Sequence, residues 1–227
     1  MLEQLNQSKN EENSIDDSTE RKTKEMSNRT LNLEIAGAAI FSALSIALSY
    51  TATFIPRIPG WYIAWFDPVS LIWIAAFLIF GFRAGLITAI IGTIGLAPFD
   101  PTIWIGPVMK FLSTIWFIVI PYYWMRLQRK SLTHENLKVP KNYFPPMIIA
   151  WILRVILMVF LNIVILKYMF NVLDYMTLGW LGFNATTGVI AVVVTVIFIN
   201  TLQTLFDVLL PYFVVFKTPI QKTLSVY

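Results

Sequence analysis

The sequence predicts an all-α integral membrane protein with six transmembrane helices and both termini in the cytoplasm. Three observations predict it. Of 227 residues, 57% are hydrophobic and 13% charged, and the mean hydropathy is +0.67. That leaves too little polar surface for a soluble domain of this size. The apolar residues fall into six runs separated by polar or aromatic connections. Lysine and arginine concentrate on alternate connections, which is how the positive-inside rule writes orientation into a chain.

Residues 1–30 carry Glu3, Glu11, Glu12, Asp16, Asp17 and Glu20, then Arg21, Lys22, Lys24 and Arg29. With so few apolar side chains they have no core to offset ordering entropy, so a disordered cytoplasmic tail is expected. A six-helix domain over 31–217 and a short cytoplasmic tail over 218–227 complete the expected organisation. The first span, Leu33 to Ile55, is long enough to cross a hydrocarbon core of ~30 Å. On it Ala39, Ala43 and Ala47 share one face. Small residues spaced this way let a second helix approach closely, whether from this chain or from a partner.

Thr51–Phe66 follows as an aromatic, proline-rich connection with Arg57, Tyr62 and Trp65. These rings suit either an interfacial belt or the cover of a ligand. Two short runs, 68–82 and 84–98, are joined by Gly81-Phe82-Arg83-Ala84-Gly85 and read as a helical hairpin. The fourth span, 102–125, holds Gly106-Pro107-Val108-Met109-Lys110-Phe111 and leads into a loop with Arg126, Arg129, Lys130, Lys138 and Lys141. The fifth, 144–170, contains Arg154, Asn162 and Lys167, and the sixth, 187–216, contains Asn200, Gln203 and Asp207. This order leaves connections 51–66, 96–103 and 171–186 outside. They hold many of the aromatic, Asp and Asn residues, so a binding site opening outward is expected.

No catalytic constellation is present. Cysteine is absent and His134 is the single histidine, which removes thiol chemistry and histidine-based metal sites. No Gly-rich phosphate loop ends in Gly-Lys-Ser/Thr, so the chain does not hydrolyse ATP alone. A non-enzyme without metal or cofactor is expected.

The ionisable residues inside the spans are costly in hydrocarbon and mark functional or paired positions. Arg154 and Asp207 each fall about 15 Å from the cytoplasmic side at 1.5 Å per residue, which predicts a structural ion pair. Lys110, Asn162 and Asn200 fall nearer the middle. No acidic residue is expected at the depth of Lys110, so Lys110 is read as a donor to ligand, with Tyr62 or Trp65 covering a ring. Gln203 shares a helical face with Asn200 and Asp207. Asn162, Gln203, Ser113 and Thr114 serve equally well as pocket groups or as interhelical hydrogen-bond partners.

The alanine face, the Asp67-Pro68 step, the Phe80-Gly81-Phe82-Arg83-Ala84-Gly85 turn, the Gly106–Phe111 segment and the polar sixth helix together resemble one family. It is the substrate-binding S component of energy-coupling factor vitamin transporters, and the resemblance covers 33–216. The chain has Gly81-Phe82 where the family commonly has Gly-Pro. The Asp-Pro and Gly-Pro steps are most similar to the riboflavin-binding branch. The resemblance implies a six-helix bundle in the plasma membrane that captures a vitamin beneath a cap formed by 51–66. It implies that Ala39, Ala43 and Ala47 contact a coupling membrane subunit driven by two ABC-type ATPases. The expected substrate-binding set is Tyr62, Trp65, Asp67, Lys110, Asn162, Asn200 and Gln203. A stand-alone secondary transporter or channel using Lys110, Arg154 and Asp207 as an ion relay is the alternative, disfavoured by small size and the lack of an inverted repeat.

Overall fold

A computed structural model describes residues 2–52, 54–61, 63–100 and 102–218. The chain is mostly helical, and among the described residues four helical stretches are long and apolar enough to cross a membrane: Met26–Thr51, Ile105–Leu127, Pro140–Met169 and Gly188–Lys217. Two shorter apolar helices accompany them.

Helix α1 runs Leu2–Ala52. The tail expected to be disordered therefore has helical backbone from residue 2, continuous with the first apolar run. The physical reason is that no glycine precedes Gly37 and no proline precedes Pro56, while Glu, Lys, Gln and Arg favour helix even without a core to pack on. Within the apolar part, Ala38, Ser42, Ser45 and Ser49 face inward. All three serines donate to carbonyls of their own helix: Ser42 to Ala38, Ser45 to Ser42 and Ser49 to Ile46.

Helices α2 (Val69–Phe80) and α3 (Phe82–Leu96) meet at one residue, Gly81, which ends the first and begins the second. Its φ of 92° lies where side chains are strained, so glycine is required. Gly81 N–H donates to Phe77 O, and Gly85 N–H donates to Gly81 O. Helices α4 (Ile105–Thr114) and α5 (Trp116–Leu127) form one rod with an irregularity at Ile115. After the short α6 (His134–Lys138) comes α7 (Pro140–Val164), extended by a π-helical turn over Ile165–Met169. A two-stranded antiparallel hairpin, β1 (Thr177–Leu178) and β2 (Phe183–Thr187), precedes the last helix, α8 (Gly188–Lys217). The all-helical expectation omitted this hairpin. The expected tail lies outside the described residues from 219 onward.

The core is divided along α7 and α8. One apolar cluster holds Trp73, Phe77, Phe117, Tyr143, Met147, Ala150, Val208 and Tyr212. A second holds Ile58, Trp61, Met158, Met176, Val196 and Ile199. Arg154 lies between Ala150 and Met158 on α7, and Gln203 and Asp207 lie between Ile199 and Val208 on α8, so a polar layer separates the clusters. Outward, α7 presents Ile148, Ile152, Ile156 and Phe160, all exposed and one helical repeat apart. An apolar ridge of that length belongs in lipid or against another helix.

Gly85 packs on Phe77, where a Cβ would come within 2.5 Å of the Phe77 Cβ and 2.9 Å of its Cα. Because a backbone atom is in the way, the site cannot yield easily. Gly85→Ala is expected to cost about 1–3 kcal/mol through overpacking. A lowered thermal midpoint in detergent checks it, and an unchanged one contradicts the close approach.

Candidate functional site

At the end of the molecule carrying connections 54–68, 97–104 and 165–187 lies a cavity of about 780 Å³. Its walls come from all three connections and from α4, α7 and α8. Most are apolar, including Trp61, Met109, Met158, Phe170 and Met176. Its floor is built from the dividing layer, with Asp67, Ser70, Lys110, Arg154, Asn200 and Gln203.

The cap begins as a narrow hairpin. Ile58 N–H donates to Ile63 O at 2.8 Å and Trp65 N–H to Pro56 O at 3.3 Å. Gly60, at φ 81°, turns the tip and drops Trp61 into the cavity, where its indole N–H donates to Thr177 O at 3.0 Å. On the opposite wall the carboxylate of Asp100 accepts from Thr102 N–H and Thr102 Oγ1, and Thr102 Oγ1 accepts from Gly106 N–H. A Cβ at residue 106 would collide with the Asp100 carboxylate, which explains the glycine. Pro107 follows in the first turn of α4, where its missing N–H costs nothing. At the far side, the π-helical turn widens α7 and brings Ile165 to the wall beside Leu166.

The floor is one connected network. Asp67 Oδ1 accepts from Val69 N–H at the start of α2, and Asp67 Oδ2 forms an ion pair with Lys110 Nζ. Gln203 clasps the backbone of Asp67, accepting from its N–H at 3.0 Å and donating to its carbonyl at 2.8 Å. The same Gln203 Nε2 lies 2.9 Å from Asp207 Oδ1, and Ser70 Oγ donates to that oxygen at 2.6 Å. Arg154 Nη1 donates to Asp207 Oδ2 at 2.6 Å, and Arg154 Nε donates to Asn200 Oδ1 at 2.9 Å. The guanidinium also lies 5.6 Å over the ring of Phe117. The two ion pairs differ in access. Arg154 and Asp207 side chains are 6% and 0% exposed, whereas Lys110 and Asp67 are 18% and 24% exposed. The carboxylate of the first pair is sealed; the second pair faces the cavity with both its members.

The expected site residues are distributed as follows. Asp67, Lys110, Asn162, Asn200 and Gln203 all line the cavity. Tyr62 lies outside the described residues. Trp65 is not in the wall; it packs edge-on against Trp180 at 5.5 Å, and Trp180 in turn donates to Thr195. Trp61, one turn of the hairpin earlier, takes the inward place expected of it. Lys110, expected to lack an acidic partner, has one in Asp67. The reason is that α2 is only 12 residues long, so its start lies down in the molecule, level with Lys110, and not at the surface. Arg154, expected in a structural ion pair with Asp207, makes that pair and also lines the cavity. Asn162 turns its Nδ2 back to Met158 O, as Asn200 does to Val196 O. Ser70 and Asp100, outside the expected binding set, also line the cavity. Among the described residues no group of His, Cys, Asp and Glu could hold a metal ion.

No family model matches the chain, nor does any curated protein or solved structure. The functional reading therefore rests on this geometry and on the sequence.

Asp207 is fully buried and accepts from Arg154, Ser70 and Gln203. Asp207→Asn leaves the Arg154 charge without its partner and is expected to cost about 3–5 kcal/mol. Arg154→Gln should cost a similar amount, and the double variant should recover part of the loss. Thermal unfolding of all three in detergent measures the coupling, and additive losses exclude it.

Proposed function

We propose that this chain is the substrate-binding S component of an energy-coupling factor importer in the plasma membrane, capturing a water-soluble vitamin, riboflavin in the first instance. In this reading all six apolar helices span, both termini are cytoplasmic, and the cavity opens outward. A coupling membrane subunit and two ABC-type ATPases supply the energy that this chain has no phosphate loop to supply.

The observation that carries the reading is the cavity itself. It is large enough for a ring-bearing ligand, mostly apolar, and furnished with a few convergent polar groups, as small-molecule sites are. The network under it is closed by Arg154 and Asp207, which suits capture followed by handover better than free passage through one chain. The opposite end of the molecule carries Arg83, Arg126, Arg129, Lys130, Lys138 and Lys141, which supports a cytoplasmic placement of that end. Ala39, Ala43 and Ala47 lie on the exposed side of α1, with Ile40 and Leu44 between them. A close-approach face left open on the bundle is what docking to a coupling subunit requires.

Two outcomes test the reading. Mass spectrometry of protein extracted gently from membranes should find a co-purified vitamin, and uptake into liposomes should require added ATPase and coupling subunits. Uptake by this chain alone would favour the stand-alone transporter instead. Ala43→Trp should abolish assembly and uptake while ligand binding by the isolated chain stays within about twofold, since this side chain points away from the cavity. Lost ligand binding in that variant contradicts the assignment of the face.

A further inference from the structure

We propose that the cavity selects an electrically neutral ligand and that Asp67 is the residue setting this preference. The inference rests on the capture reading and narrows its substrate class.

The positive side chains at the cavity wall are Arg57, Lys110 and Arg154, and the negative ones are Asp67 and Asp100. Asp207 stands directly behind Arg154 and is hydrogen-bonded to it. Positive and negative charges are therefore equal in number around the site. Their pairing matters more than their number. The charge of Arg154 is met by a carboxylate with 0% exposure, which no ligand reaches. The charge of Lys110 is met by Asp67, on a pair that does face the cavity. An entering phosphate or carboxylate would leave water and find both floor cations already matched. To take Lys110 for itself it would have to strip Asp67 of its partner, leaving a second anion beside the first. A cationic ligand meets the converse obstacle at Asp67, whose charge is already met by Lys110.

A neutral polar ligand meets neither. Lys110 and Asp67 offer it donors and an acceptor side by side without giving up each other. The apolar remainder of the wall fits a ring. Asp67 also lends an oxygen to the start of α2, a task that asparagine can perform equally well. Charge can thus be removed there without removing the cap.

Calorimetric titration of the purified chain in detergent tests this with matched pairs: riboflavin and riboflavin 5′-phosphate, pyridoxine and pyridoxine 5′-phosphate, nicotinamide and nicotinate. In any pair that binds, the neutral member is expected to bind about 100-fold more tightly, because the anion must be desolvated at a floor whose two cations, Lys110 and Arg154, are already paired. In Asp67→Asn, which leaves Lys110 unmatched, the anionic member should gain about tenfold relative to the neutral one. Adding Lys110→Met should remove that gain. If Asp67→Asn does not fold, Lys110→Met alone should widen the wild-type preference by leaving Asp67 uncompensated, and a narrowed preference overturns the role given to Asp67. Equal or tighter binding of an anionic member by the wild type overturns the neutral-ligand inference while leaving vitamin capture intact. So does a co-extracted ligand that is charged at neutral pH. No binding in any pair and no co-extracted ligand would overturn the capture reading itself.

Discussion

A carboxylate with no exposed surface, in the middle of an apolar helix, is the constraint from which the architecture can be derived. Asp207 must have partners, and the geometry gives it Arg154 from α7, Ser70 from α2 and Gln203 from its own helix. Those contacts tie α2, α7 and α8 at one level. The tie decides where the apolar core stops, because no aliphatic side chain can occupy the ring of space that the polar groups need. Below it Tyr143 donates to Val208 O and the rings of Tyr143, Tyr212 and Phe216 pack against one another. Above it the helices can part around an open volume, because the polar layer already holds them together. The cavity follows from the layer beneath it.

Gln203 makes the layer continuous. Its amide reads the backbone of Asp67 on one side and the carboxylate of Asp207 on the other. A single amide with both a donor and an acceptor end is suited to this, whereas a third charged residue would have unbalanced the site. The consequence is that the accessible ion pair and the sealed one are joined through one side chain. A change of charge at Asp67 is therefore felt first at Lys110 and Gln203, and only then at the structural pair.

Much of this was legible in the sequence, for reasons that also explain what was not. Apart from the start of α1, the apolar runs marked the ends of the apolar helices to within a few residues, because in lipid the backbone has no alternative to helix over such lengths. Arg154 and Asp207 could be matched by counting turns, since both lie on long, regular helices. The same counting failed for Asp67. It precedes a helix too short to reach the surface, and a proline-rich connection has no periodicity from which depth can be read. Trp61 and Trp65 illustrate a second limit. Both are tryptophans in one loop, and only the hairpin closed by Ile58 and Ile63 determines which of them turns inward. Residues 2–30 show a third, for a lack of apolar residues forecasts a lack of core, not a lack of helix. The β1–β2 hairpin, from Thr177 to Thr187, has no strand-length alternation to announce it.

The first helix shows how hydrocarbon sorts small residues that look interchangeable in a sequence. Its inward face carries Ser42, Ser45 and Ser49, and each of these serines closes a hydrogen bond on its own helix. A serine facing lipid would need the same bond and would gain no packing from it. Turned inward, its small volume lets α3 come close, with Gly92 beside Ser45, Gly95 beside Ile46, and Thr88 donating to Ala38 O. Alanine has no polar group to satisfy, so it can be left on the outside at no cost in unpaired donors. Ala39, Ala43 and Ala47 are the residues so left. The helix therefore has two small faces with different chemistry. The hydroxyl-bearing face is consumed by the bundle, and the alanine face remains as the surface on which a further helix could pack without disturbing the polar layer or the cavity above it.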